Sequence, residues 1–255
     1  MRKLELIGLL MGYLFTQSVA FACQGGTCAN GLAYEAFGAM QGADKPILAV
    51  FVHGDVSRGG PADYMYSYAQ KFAGSRKNVV AVALLRPGYY DRAGKKSDGS
   101  NNRRRDTFYA RNNRAIAGAI RELKNRYNAR KVVAIGHSGG AGAIGVIAGT
   151  NPGLLNGIVL VSCPCDVRAW NLSRGRNRRS SSQSPVDFVG RIAPGTSIVA
   201  VTGSADKNTR PKLALDYVAK AQAVGLSAQV RIVGGGHGFR KISSPAIDAL
   251  GEMAR

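Results

Sequence analysis

Six apolar, β-branched runs punctuate this chain, at residues 46–52, 78–84, 131–135, 157–161, 197–201 and 228–233. Each is bounded by glycine or polar turn residues, and none alternates cleanly between apolar and polar positions. A strand reads that way when both of its faces are covered, as in a parallel sheet between helices. Helical patterns lie between the runs, at 61–73, 107–127, 140–148, 211–223 and 244–254. In 107–127, Ile116, Ile120 and Leu123 share one face, with Arg and Asn opposite. Residues 32–40 read as one further, leading strand. The alternation predicts an α/β fold: a mainly parallel, doubly wound sheet with helices on both faces. At 255 residues the chain suits one such domain, and no repeat of solenoid or propeller period interrupts it. Ligands of these sheets bind beyond the carboxyl ends of the strands, so the chemistry is sought just after each run.

The run at 131–135 leads into Gly136-His137-Ser138-Gly139-Gly140 and then a helix of small residues. This is G-x-S-x-G, the pattern of a nucleophile elbow. A serine on a strained strand-to-helix turn needs glycine on both sides for close backbone approach. The pattern alone is weak in a glycine-rich chain; its place between strand and helix gives it weight.

Only three histidines occur, each at or just after the end of a strand run. A lone histidine is usually structural, and His53 and His137 are read that way. His237 differs, because it stands on the glycine loop 234–238 after the last run, where a general base could reach the serine hydroxyl. The acid is expected after the run at 197–201, at Asp206, giving the order Ser, Asp, His. Asp166 and Asp187 are its rivals, and any of the three could instead be a turn or cap residue. An oxyanion would need two N–H donors; Gly139 is one candidate, and Asp55 or Val56, in the loop after the first run, supplies the other.

A nucleotide-binding reading competes with this one. Gly140, Gly142 and Gly145 fit G-x-G-x-x-G, and Asp166 follows at about the right spacing. Phosphate binding needs those glycines in the turn, whereas these fall inside the helix.

On these residues the chain resembles the α/β-hydrolase superfamily over most of residues 23–255. FVHGD (51–55), LLRPGYYD (84–91), IGHSGG (135–140), TGSAD (202–206) and GGGHGF (234–239) stand in that superfamily's order and at about its intervals. The second and the last two are similar to segments of small dienelactone-hydrolase-like and prolyl-oligopeptidase-like enzymes. The resemblance implies a serine hydrolase working through an acyl-enzyme on Ser138, with a small-molecule ester or peptide as substrate and no cofactor or metal. Ester hydrolysis is the first expectation and a prolyl-oligopeptidase-like peptidase the second; without a propeller-sized N-terminal region, a prolyl oligopeptidase proper is not expected. From another class, a non-catalytic protein binding polyanions on a hydrolase scaffold stays open.

Residues 1–22 read as a signal peptide: Arg2 and Lys3, an apolar stretch from Leu6, and Ala20-Phe21-Ala22 before Cys23. Glu5 is an awkward charge there. A membrane anchor is disfavoured by length, and an acylated Cys23 by the sequence before it. The expected domain is therefore 23–255, exported to periplasm or medium. Its four cysteines, Cys23, Cys28, Cys163 and Cys165, suit disulfides in three connectivities; Cys163-Pro164-Cys165 is not a zinc spacing, and cross-pairing with Cys23 and Cys28 is at least as plausible as a bridge within it. Thirty-five Lys and Arg against 15 Asp and Glu give a net charge of +20. That draws a protein weakly to anionic surfaces, but no specific nucleic-acid motif accompanies it. The charge is dense at residues 168–184, with Arg168, Arg174, Arg176, Arg178 and Arg179, read either as a solvated loop or as a short basic cap over the active site. Oligomeric state is not legible.

Overall fold

The computed structural model describes Cys23 and residues 27–38, 45–104, 108–177 and 180–255. The signal-peptide reading, and Arg178 and Arg179 of the basic segment, lie outside the described residues. Among the described residues, eight strands form one sheet: β1 (Cys28–Ala29), β2 (Leu32–Phe37), β3 (Ile47–Val52), β4 (Val79–Leu84), β5 (Lys131–His137), β6 (Gly157–Val161), β7 (Ser197–Gly203) and β8 (Ala228–Val233). Their spatial order is β1-β2-β4-β3-β5-β6-β7-β8. The first two strands pair antiparallel, and β2 meets β4 antiparallel; from β4 to β8 every pairing is parallel.

Alternate residues of β3 supply opposite cores. Leu48, Val50 and Val52 face one side, with Ile116, Ile120 and Leu123 of α2 (Ala110–Arg126) and Ile144 and Ile147 of α3 (Gly139–Thr150). Ile47, Ala49 and Phe51 face the other, with Phe72 of α1 (Tyr66–Gly74) and Ile242 and Leu250 of a last helix, Phe239–Met253. Two helices complete the set, α4 (Val167–Leu172) and α5 (Pro211–Ala223), so the last becomes α6. All residues of β3, β4 and β6 are buried, which is why their sequences show no alternation.

From β3 the chain steps to β4 on one side and then crosses to β5 on the other. That reversal opens a crevice at the carboxyl ends of β3 and β5. The loop His53-Gly54-Asp55 and Ser138 both sit there.

The structure moves several boundaries. Helix α1 begins at Tyr66 instead of residue 61, and α2 at Ala110 instead of 107. Helix α6 begins at Phe239, five residues before the Ser244-Pro245 pair taken as its start, with Pro245 inside it. Burial of Phe239 against Tyr68 and His137, with ring centroids 4.8 and 5.4 Å apart, extends the helix back past the proline. The basic segment is not all loop, because α4 occupies its beginning.

The disulfides are Cys23–Cys28 and Cys163–Cys165, with Cα separations of 5.8 and 5.0 Å. Both separations suit a disulfide. Cross-pairing fails on topology: β1 and β6 stand five strands apart in the sheet, about 24 Å at ~4.8 Å per strand.

Glycine lets α3 lie directly on the sheet. A methyl at Gly140 would be driven into the carbonyl oxygens of Val52 and His53. Gly142 and Gly145 face Phe108 and Pro185, at 3.2 and 2.9 Å from where a Cβ would be, so the G-x-G-x-x-G glycines are packing residues. Gly140→Ala is therefore expected to lower stability by about 3 kcal/mol, an overpacking cost against backbone that cannot move aside. Gly74→Ala, where a methyl meets nothing within 4 Å, should be neutral or gain up to about 1 kcal/mol. Urea denaturation of the two variants distinguishes these outcomes.

Candidate active site

Ser138 joins β5 to α3 with φ 52° and ψ −116°. A non-glycine residue holds such a backbone only where its surroundings enforce it. Here the Ser138 N–H donates to the Val161 carbonyl at 2.8 Å, and its own carbonyl accepts from Gly142 N–H at 3.0 Å. The turn presents Oγ to a cavity of about 1090 Å³ that is also lined by His137, His237, Tyr64, Trp170 and Asn208.

Three of the residues singled out in the sequence meet in one chain of contacts. His237 Nε2 lies 2.9 Å from Ser138 Oγ, and His237 Nδ1 lies 2.9 Å from Asp206 Oδ2. Asp206 is buried, and its Oδ1 accepts from the N–H groups of Asn208 and Thr209 at 2.8 and 2.9 Å. The Thr209 hydroxyl donates to Oδ2 at 2.8 Å. Burial pushes the Asp206 carboxyl up, but the hydrogen bond and charge of His237 and the Thr209 donors outweigh it and hold it at about 2. Asp206 is thus an anion facing Nδ1, so Nδ1 carries the ring proton and Nε2 is left to accept from the serine hydroxyl.

The rivals do other work. Asp166 caps α4, accepting from Ala169 N–H at 2.9 Å, and Asp187 sits in a short 3₁₀ turn. Asp55 and Gly139 are neighbours, since a methyl on Gly139 would strike the Asp55 carboxylate. Val56 also lines the cavity, with φ 43°.

A residue the sequence reading did not single out is Arg86. It is 2% exposed, and its Nη1 donates to Asp55 Oδ1 at 2.7 Å. A buried guanidinium must be paired, and an Arg closing the apolar run 79–85 is the available signal. The pairing fixes the Asp55 side chain at the loop after β3. Asn208 is a second omission. Its side-chain Nδ2 lies 3.1 Å from His237 Nε2, and its main-chain carbonyl accepts from Trp170 Nε1 at 3.0 Å, fastening α4 to the Asp206 loop. Nothing in its sequence position announced this.

The rings of His53 and His137 are both held by hydrogen bonds within the protein, with opposite tautomers. His53 Nδ1 donates to Gly54 O at 2.6 Å and Nε2 accepts from Arg86 N–H at 2.9 Å. His137 Nε2 donates to the His237 carbonyl at 2.9 Å, and Nδ1 accepts from the Tyr64 hydroxyl at 2.7 Å. That hydroxyl accepts in turn from Gly54 N–H at 2.7 Å, so one relay links the loop after β3 to the His237 loop. Among the described residues no group of three His, Cys, Asp or Glu side chains is placed to hold a metal ion.

The sequence profile of the Alpha/beta hydrolase family matches residues 49–247, and the chain belongs to that family. None of the curated proteins searched matches it. Among solved structures, it is similar to Est1E from Butyrivibrio proteoclasticus with ferulic acid bound (TM-score 0.64, 14% identity, covering 89% of this chain and 96% of that one). It is also similar to the esterase PE8 (TM-score 0.62, 17% identity, 87% and 99%). An acylaminoacyl peptidase from Pyrococcus horikoshii matches 87% of this chain at TM-score 0.62 and 16% identity. This chain spans 38% of the length of that peptidase.

Burial holds His137 at about 4, helped by the charge of His237, and holds His53 at about 3, helped by the charge of Arg86. Both lie below the ordinary 6.5, so between pH 6.5 and 4 the unfolded chain binds more protons than the folded one. Stability should fall as pH is lowered through that window, by up to about 1.4 kcal/mol per pH unit for each site. At pH 5, ¹⁵N spectra of the folded protein should show neutral rings, with the proton on Nδ1 of His53 and on Nε2 of His137. An imidazolium at either would contradict the assignment.

Proposed function

We propose that this protein is a serine hydrolase that cleaves carboxylic esters or related acyl bonds. The observation carrying the reading is the continuous contact from Asp206 through His237 to Ser138 Oγ at the wall of a cavity. Ser138 attacks the acyl carbon while His237 takes its proton at Nε2. The Asp206 carboxylate holds the Nδ1–H tautomer and stabilises the imidazolium. The N–H groups of Gly139, at the start of α3, and of Asp55 receive the oxyanion. Arg86 acts on Asp55 through its side chain and so steadies that donor. His237 then returns the proton to the leaving alkoxide, and water repeats the sequence to release the acid.

Ester substrates come first because the neighbours PE8 and Pyrococcus furiosus Pf2001, matched over 99% and 86% of their lengths, are called esterases. The peptidase neighbours are matched over about a third of their length, with 38% for the acylaminoacyl peptidase. A polyanion-binding protein without catalysis would have no use for the strained turn at Ser138.

A fluorophosphonate probe should label Ser138 in the intact protein. Ser138→Ala should abolish labelling and lower kcat/KM on 4-nitrophenyl esters by about 10⁴-fold or more. Asp206→Asn should cost about 10³- to 10⁴-fold, whereas Asp187→Asn and Asp166→Asn should cost less than about tenfold. Labelling of another serine in Ser138→Ala, or equal losses at all three aspartates, would overturn the assignment.

Export belongs to the same proposal and rests on residues 1–22. Expressed in full in a bacterium, the protein should appear outside the cytoplasm with Cys23 as its first residue by mass spectrometry. Intact Met1 on a cytoplasmic product would count against it.

A further inference from the structure

Among the described residues, five of the fifteen that line the cavity at Ser138 are cationic: Arg58, Arg104, Arg174, Arg176 and Lys207. In the whole chain Lys and Arg are 35 of 255, so the concentration is local and not the average of a basic protein. The described lining residues include one carboxylate, Asp55, and that carboxylate is already engaged by buried Arg86. The five cations come from four separate segments: the loops after β3, β4 and β7, and the turn following α4.

Two of the five are held in place by other groups. Arg104 Nη1 donates to Val56 O at 3.2 Å, and its guanidinium lies 5.4 and 5.5 Å from the rings of Tyr89 and Tyr90. It ends a turn in which Asn102, Arg103 and Arg104 have φ of 44°, 54° and 60°. Residues with a Cβ seldom take that backbone in succession, and strain of this kind persists where a side chain has to be aimed. Arg174 lies 5.1 Å from the ring of Trp170, whose Nε1 is fastened to Asn208 beside His237. The α4 segment is thereby part of the cavity wall.

We propose that the cavity takes an anionic ester, one whose acyl or alcohol part carries a carboxylate or phosphate bound by this ring of cations. The proposal rests on the serine-hydrolase reading of the same site. A cluster of like charge around a cleft raises the local concentration of an anionic substrate and disfavours a cationic one. A guanidinium also meets carboxylate and phosphate with paired N–H donors, so Arg gives orientation as well as attraction.

The test compares 4-nitrophenyl hexanoate with the 4-nitrophenyl monoester of adipic acid and the 4-nitrophenyl ester of 6-phosphonohexanoic acid. At about 20 mM salt, wild-type kcat/KM should be at least about tenfold higher for an anionic ester than for the neutral one. At about 0.5 M salt that ratio should shrink. The larger of the two anionic ratios identifies carboxylate or phosphate. Arg104→Gln with Arg176→Gln should bring the ratio close to one, and Arg104→Lys with Arg176→Lys should keep most of it. Arg121→Gln, on the exposed face of α2, should leave it unchanged. A wild-type ratio near one, or an Arg121→Gln effect equal to that of the cavity pair, overturns the anion site while hydrolysis of all three esters upholds the enzyme. Calorimetry separates the two readings from the other side. Monobutyl adipate should bind Ser138→Ala and bind at least about tenfold more weakly once Arg104 and Arg176 are also Gln. Such binding, with no turnover of any ester and no labelling of Ser138, would keep the anion site and remove the hydrolase; no binding would remove the anion site.

Discussion

The site depends on how closely the start of α3 lies against the end of β3. Backbone touches backbone there, and only glycine permits it: side chains at Gly136 or Gly140 would collide with main-chain atoms of the neighbouring turn or strand. That contact leaves Ser138 the single residue between strand and helix and forces its left-handed φ of 52°. The same contact brings Gly139 beside Asp55, so the nucleophile and both proposed oxyanion donors are set by one packing event. A shift of α3 by an atom's width would move Ser138 and Gly139 out of register with Asp55.

Around that core of backbone contact, the loops at the carboxyl ends of the strands are tied to one another by buried polar groups. Asp55 and Arg86 join the loops after β3 and β4. Tyr64 and His137 join the loop after β3 to the carbonyl of His237. Trp170 joins α4 to the Asp206–Thr209 turn. Each bond satisfies a group that burial would otherwise leave costly, so the bracing and the desolvation of the site are one arrangement. It also explains why two of the three histidines are neutral supports. A charged ring at His53 or His137 would face cations or a second histidine in a dry setting.

The net charge of +20 takes on a different meaning once the chain is folded. In the sequence the arginines cluster at 168–179, where a solvated loop is the first reading and a cap the second. In the fold, cations from four segments converge on the mouth of one cavity, and part of the cap is a helix packed on Phe108 and Leu213. Charge that looked like a property of one segment is a property of the site.

The sequence alone determined the sheet, its parallel character and the order of its elements, because strands buried on both faces must be continuously apolar and the intervening helices must carry one apolar face. It also marked Ser138, Asp206 and His237, since turns at the ends of such strands are short and leave few positions for reactive groups. Tertiary structure alone decided the rest. The helix at Phe239 runs through Pro245 because aromatic packing outweighs a local stop signal. The cysteines pair within their own segments because four strands lie between the two pairs in the sheet. Arg86 and Asn208 became part of the site through partners 31 and 29 residues away in sequence. Local pattern encodes what a segment buries; which segments then meet is set by the sheet order, and no single segment carries that information.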